Sequence, residues 1–166
     1  PVALNGKKMD FVSMLDSLNA IAGKHGVGRT DMIEDRVVGI KSREVYEAPA
    51  GWCLITAHRE LEAAVLDRDT LAFKEMVSQK YAQLVYQGLW YSRLRESLDA
   101  FVEKTQERVT GRITLKLFKG NIMIAKRSTK YSLYKESLAT YGDEDTYDRR
   151  NAEAFINLFA QPFIEK

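Results

Sequence analysis

Arg112-Ile113-Thr114-Leu115-Lys116-Leu117-Phe118-Lys119-Gly120-Asn121-Ile122-Met123-Ile124-Ala125 decides the fold class. Ile113, Leu115 and Leu117 alternate with polar neighbours, and a period of two is that of a strand with one buried face. Lys119-Gly120-Asn121 supplies the turn and Ile122 to Ala125 the returning partner, so the stretch predicts a hairpin. Upstream of it the apolar period is helical, so the chain combines both kinds of element.

Working back from the hairpin, Ser92 predicts the cap of a helix with Leu94, Leu98, Phe101 and Val102 facing inward. A longer helix is predicted from about Thr70 to Trp90, with Phe73, Val77, Leu84 and Leu89 in the core. Pro49-Ala50-Gly51 is expected to turn, and a helix from Trp52 to Leu66 to show Leu54, His58, Leu61 and Val65 on its apolar face. Arg36-Val37-Val38-Gly39-Ile40-Lys41 predicts a buried strand with β-branched residues. Asp10 is the expected cap of a first helix bearing Phe11, Leu15, Leu18 and Ala22, with Met14 and Ile21 widening the stripe. The glycines at 23, 26 and 28 end that helix, and Val2 to Leu4 before Asn5-Gly6 predict a short strand and tight turn. Downstream, a polar connection at Tyr141-Gly142-Asp143-Glu144-Asp145 leads to a final helix through Ala152 to Phe159. One α+β domain follows, with helices from the middle of the chain packed on mainly antiparallel strands from both ends.

The composition is that of an ordinary globular chain: 45% hydrophobic and 29% charged over 166 residues. A net charge of +2, spread evenly, gives no basis for nucleic acid or a membrane surface as partner. Cys53 is the one cysteine and reads as a small buried apolar residue, which suits a reduced, cytoplasmic setting. No apolar run is long enough to cross a bilayer. The opening Pro1-Val2-Ala3-Leu4, without Met, is expected of a piece cut from a longer protein, Met removal before Pro being the other route.

Gly23-Lys24-His25-Gly26-Val27-Gly28-Arg29-Thr30 comes within one residue of a phosphate-binding loop, with Arg29 where Lys belongs. Such a loop must follow a strand and open a helix, so that backbone N–H groups face the phosphates. This one follows a helix, and a glycine-rich helix exit is the better account. His25 and His58 have no companions at ligand spacing, which argues against a metal site; His58 fits a hydrogen-bonded core histidine better than a catalytic one. Tyr81, Tyr86, Trp90 and Tyr91 suit core or interface packing rather than base stacking.

The densest polar constellation comprises Arg29, Asp31, Glu34, Asp35, Arg36, Lys41, Ser42, Arg43, Glu44, Tyr46 and Glu47. Charges of both signs suit a zwitterionic ligand such as an amino acid. A solvated segment carrying surface ion pairs accounts for the same residues.

The block from Gly26 to Gly51, GVGRTDMIEDRVVGIKSREVYEAPAG, closely resembles the argininosuccinate synthase family. The resemblance continues through Ala57-His58, Glu60-Leu61-Glu62, Tyr81 to Trp90, Val109-Thr110-Gly111, Lys119-Gly120-Asn121 and Ser132-Leu133-Tyr134, covering nearly the whole chain. It implies the C-terminal part of a ligase of amino-acid and arginine biosynthesis, or of the urea cycle. That ligase joins citrulline to aspartate, with ATP and Mg, through a citrullyl-adenylate, releasing AMP and pyrophosphate. The family's nucleotide-binding half is N-terminal, and its Ser-Gly-Gly-x-Asp loop has no counterpart here, so catalysis by the isolated chain is not expected. Two family citrulline contacts, a Glu and a Tyr, fall on Glu34 and Tyr46; Arg29, Ser42 and Arg43 are candidates for shaping the same pocket. The resemblance also implies a homotetramer built through this domain and a C-terminal extension, which is expected to be shortened here since only Ala160 to Lys166 follow Phe159; Arg93 stands where many members have proline. The alternative role is a non-catalytic assembly module of the same fold.

Overall fold

The computed structural model describes residues 1–138, 146 and 148–164. The chain is α+β, and it divides into two compact units, Pro1–Leu133 and Tyr134–Lys166.

The first unit opens with β1 (Ala3–Leu4) and β2 (Lys7–Lys8), joined by Asn5 and Gly6, both at positive φ. That is the backbone a two-residue hairpin turn demands and Asn-Gly tolerates best. The expected first strand is thus half of a hairpin whose return, Lys7–Lys8, carries no apolar signal. Helix α1 (Phe11–Lys24) starts where Asp10 accepts the Ser13 N–H at 3.0 Å, as its sequence predicts. Met14, Leu18 and Ala22 form its buried stripe, whereas Phe11 and Ile21 face outward.

The strand expected at Arg36–Lys41 does not form; β3 (Arg29–Asp35) and β4 (Lys41–Glu47) form instead, and residues 36–40 are the tip of the hairpin between them. Gly39 lies at φ 83°, and its N–H donates to the Arg36 carbonyl at 2.7 Å, the geometry of a three-residue hairpin loop closed by a left-handed glycine. The β-branched run Val37-Val38 misleads because it is solvent-exposed, at 65% and 78%. Glycine wins over propensity at this position.

Helix α2 (Pro49–Val65) absorbs the expected Pro49-Ala50-Gly51 turn, since proline suits the first helical position, where its missing N–H costs nothing. Its buried face is Ala50, Cys53, Glu62 and Val65; His58 lies on the exposed side. Helix α3 (Arg68–Tyr86) begins at its Asp67 cap and ends before Leu89, so Val77 and Leu84 are buried while Phe73 and Leu89 stay half-exposed. Helix α4 (Arg93–Gln106) is capped by Ser92 as expected, though Leu94 is 45% exposed. Phe73 packs edge-on against Phe101, joining α3 to α4. The aromatic group at the end of α3 is surface rather than core, with Tyr91 91% exposed and Trp90 covered on one face by Arg95 at 4.7 Å.

The hairpin β5 (Arg112–Phe118) and β6 (Asn121–Ser128) turns at Lys119-Gly120 and bulges between Thr114 and Leu115. The second strand runs on to Ser128, past the expected end at Ala125. Leu115, Leu117 and Ile122 pack on the cluster of Met14, Leu18, Ala22, Val27, Ala50 and Cys53 that forms the core. Gly120 N–H donates to the His25 carbonyl at 2.6 Å, so the strand turn closes over the exit of α1.

The described residues of the second unit contain a 3-10 turn at Glu136–Leu138, then α5 (Arg150–Ala160) and another 3-10 turn at Gln161–Phe163. The connection expected at Tyr141–Asp145 lies outside the described residues.

One buried carboxylate ties three helices together. Glu62, 4% exposed, accepts from Lys74 Nζ at 2.9 Å, Gln106 Nε2 at 2.7 Å and His58 Nε2 at 3.2 Å. Burial alone would raise its pKa, but the bonds from His58, Lys74 and Gln106 outweigh that and bring it from 4.5 down to about 2. A depressed carboxylate stabilises the fold above the ordinary Glu range and loses that contribution as pH falls towards 2. Glu62→Gln should therefore cost roughly 3 kcal/mol at neutral pH, because Lys74 is left buried and unpaired. Urea unfolding at pH 7 and pH 3 should show the gap between variant and parent narrowing in acid; a constant gap would refute the assignment.

Candidate functional site

The β3–β4 hairpin is the candidate site, and its register sorts the polar constellation that the sequence leaves mixed. Thr30 pairs with Tyr46, Met32 with Glu44 and Glu34 with Ser42, so these six side chains share one face. The other face carries Arg29, Asp31, Ile33, Asp35, Lys41, Arg43, Val45 and Glu47, all exposed. The Thr30–Glu34–Ser42–Glu44 side is partly buried and is the inner face.

Tyr46 Oη donates to Glu34 Oε1 at 2.8 Å, so the two residues singled out from the sequence do meet. Both side chains lean along the strands, past the intervening Met32–Glu44 pair, to do so. The bond to Glu34, partial burial and the negative charges of Glu34 and Glu44 push the Tyr46 pKa up, against a smaller opposing effect of Arg36. The phenol is therefore a firm donor and the carboxylate an acceptor.

Ser42 lies on the same face as this pair; Arg29 and Arg43 do not. Arg29 is held by Glu47 at 2.6 Å and Arg43 by Asp31 at 2.8 Å, both on the outer face. Lys41 pairs with Asp35 at 2.7 Å, and Arg36 with Glu44 at 2.6 Å. The hairpin's cations are thereby matched one to one with its other carboxylates. Among the described residues, Glu34 is the one hairpin carboxylate without a cationic partner, its sole bonded donor being a neutral phenol. A half-buried carboxylate in that condition is suited to an incoming ammonium group.

Two ties hold the hairpin in place. At its root, Ala48 N–H donates to the Gly28 carbonyl at 2.9 Å. Near its tip, Tyr86 Oη donates to the Asp35 carbonyl at 2.9 Å. Tyr86 is a positioning contribution that helical spacing alone does not reveal. Beside the root, a cleft of about 290 Å³ is lined by Thr30, Trp52, Thr56, Gly120 and Asn121 among others, and so adjoins the Tyr46 end of the inner face. A second groove, of about 450 Å³, lies between α2 and α3 and shares no lining residue with the hairpin.

The glycine-rich stretch 23–30 connects α1 to β3, which is the reverse of a phosphate loop's context. Among the described residues no group of three or more His, Cys, Asp or Glu is placed to hold a metal ion. Cys53 is 1% exposed and its thiol pKa is raised by burial, which fits a packing role. No helix among the described residues is long and apolar enough to cross a membrane.

Comparison with known proteins places these features in context. The family described as arginosuccinate synthase C-terminal domain matches residues 1–164. Argininosuccinate synthase of Carboxydothermus hydrogenoformans is 55% identical over 162 residues, covering 98% of this chain and 40% of that protein. Argininosuccinate synthase of Synechocystis is 56% identical, and that of Clostridium perfringens 55%, each again over 98% of this chain and 40% of the relative. The chain therefore spans about two fifths of the length of the relatives it matches.

The exposed tip yields a direct check on the hairpin. Val38→Asn should change the unfolding free energy by less than about 0.5 kcal/mol, as surface substitutions do. A buried strand valine would instead cost about 2 kcal/mol or more, and a loss of that size in urea titration would contradict the register described.

Proposed function

The chain belongs to the arginosuccinate synthase C-terminal domain family, and on that premise we propose that its β3–β4 hairpin forms the citrulline-holding wall of an ATP-dependent ligase. The observation that carries this reading is the charge accounting of the hairpin, which leaves Glu34 with only the Tyr46 phenol. Glu34 accepts from the α-ammonium of citrulline, while the Tyr46 proton serves the ligand's carboxylate or ureido oxygen once the ligand displaces it from Glu34.

In this proposal an N-terminal half supplies ATP with Mg and the aspartate site. The glycine-rich stretch 23–30 runs from a helix into a strand, so no step at phosphorus is assigned to it. Their part is positioning: a ureido oxygen held in one orientation reacts far faster than one free in solution, and fixing a ligand's headgroup does that. In the full-length enzyme, Glu34→Gln should raise the citrulline KM at least tenfold, because a neutral amide cannot match the ammonium charge, and leave the ATP KM within about twofold. The isolated chain should show no ligation with citrulline, aspartate and ATP. An unchanged citrulline KM in the variant would favour a purely assembling role.

A specific observation also supports subunit assembly through α5. Phe155, Ile156, Leu158 and Phe159 are 59–76% exposed, and Phe155 stacks on Phe159 at 5.5 Å. An aromatic patch of that kind is suited to burial against a partner. Phe159→Glu should lower the mass of the full-length assembly in analytical ultracentrifugation; an unaltered mass would remove α5 from the interface.

A further inference from the structure

The even spread of charge expected from the sequence breaks down at one segment. From Arg108 to Lys130 there are seven Lys and Arg and no Asp or Glu, which leaves the rest of the chain with an excess of carboxylates. This segment is the β5–β6 hairpin with its flanks. Arg127 is met by Glu60 of α2 at 2.6 Å. Among the described residues, Arg112, Lys116 and Lys126 have no carboxylate within ion-pair distance.

The β-bulge decides where these charges lie. Ile122 and Ile124 are on the half-buried inner face, and strict alternation would place Lys126 there too. Ala125 is the extra residue opposite the Thr114–Leu115 step, and it reverses the parity: Lys126 pairs with Thr114, and Arg127 with Ile113. Lys126 thus joins Arg112 and Lys116 on the outer face, while Arg127 turns inward to Glu60. Arg112 and Lys116 stand about 13 Å apart along one strand, with Lys126 opposite the residue midway between them. The same face carries Thr114, Asn121 and the exposed side chains of Phe118 and Met123. Lys119 adds a further ammonium 5.3 Å from the centre of the Phe118 ring.

The outer face of β3–β4 follows the opposite rule. There Arg29, Lys41 and Arg43 are each met by a carboxylate of the facing strand at 2.6–2.8 Å. On β5–β6 the cations have only one another, and like charges sharing a face repel. Such a face favours an external polyanion, which relieves the repulsion. Arg112, Lys116 and Lys126 line neither cavity described above, so the face is a ribbon and suits an extended polymer better than a small anion. Phe118 offers what phosphate binding alone does not need, an exposed aromatic ring on which a base can stack.

We propose that the outer face of β5–β6 binds single-stranded nucleic acid, with Arg112, Lys116 and Lys126 on backbone phosphates and Phe118 against a base. The recognition is of backbone and base plane, so it carries little sequence preference. This site is separate from the citrulline wall and does not depend on that reading.

The test uses the full-length enzyme and fluorescence anisotropy with labelled oligouridylate and oligothymidylate of about twelve nucleotides, over a range of KCl. Binding should be saturable, and log K should fall with log [KCl] with a slope of about −2, three phosphates at about 0.7 each. The double variant Lys116→Ala, Lys126→Ala should bind at least about tenfold more weakly at low salt, with a slope of about −0.7. Phe118→Ala should weaken binding at least about fivefold and leave the slope unchanged, which separates stacking from charge. Arg112→Glu reads the same face independently should either variant melt early. A double variant that binds like the parent would overturn the proposal, as would a duplex of the same length held as tightly as the single strand. Phosphatidylserine vesicles bound through the two lysines, with no oligonucleotide binding, would make the face a membrane surface instead. A lower sedimenting mass of the double variant without nucleic acid would make it a subunit contact.

Discussion

The close approach of Gly28 to the start of α2 is the constraint on which the hairpin depends. A Cβ on residue 28 would stand 2.5 Å from the Pro49 Cα and 2.8 Å from the Ala48 carbonyl carbon. Its φ of 92° is likewise open in practice only to glycine. The neighbours on both sides, Val27 and Ala50, are 2% exposed and belong to the core. The chain therefore leaves the core at Val27, makes the entire β3–β4 excursion, and re-enters at Ala50 through one tight contact. That contact sets the direction of the hairpin, and Tyr86 on α3 fixes it a second time through the Asp35 carbonyl. With two anchors on different helices, the inner face is presented in one orientation although its tip is exposed. Binding groups held that way lose little freedom when a ligand arrives.

On this presented surface, charge does the sorting. The outer ion pairs are solvated and contribute little to stability. Their importance is what they remove: each hairpin cation is occupied by a carboxylate, so none is left to neutralise Glu34. Tyr46 gives Glu34 a hydrogen bond without a charge, which keeps the carboxylate oriented and still available to a cation. Arg29 and Arg43, attractive from sequence as carboxylate ligands, are turned outward because strand parity puts odd positions of β3 and β4 on the far face.

Much of this was legible in the sequence where local rules agree with one another. Asp10, Asp67 and Ser92 cap helices through side-chain bonds to backbone N–H groups, two of them foreseen, and Lys119-Gly120 turns the hairpin that reveals the fold class. The reading failed at Arg36–Lys41, where β-branched residues suggested a strand and Gly39 alone carried the signal for a turn. That single slip hid the register, and without it the constellation from Arg29 to Glu47 could not be divided into two faces. Glu34 and Tyr46 were singled out through family resemblance alone; their contact across the strands required the pairing Thr30–Tyr46 and Glu34–Ser42. Contacts between distant segments, such as Tyr86 with Asp35 or Glu62 with Lys74 and Gln106, leave no periodic trace at all.

Glu62 and Glu34 show how the environment, rather than residue type, decides whether a carboxylate's charge is met inside the fold. Glu62 is almost fully buried and engages donors from α2, α3 and α4, among them the Lys74 ammonium; its charge is met inside the fold and its pKa sinks accordingly. A ligand could reach it only by breaking those bonds. Glu34 is half-buried and, among the described residues, engaged by one neutral donor. Its partial exposure leaves a cation a way in. A carboxylate saturated from within holds helices together; one left short of a charge at an anchored surface is what the proposed role in holding an ammonium group requires.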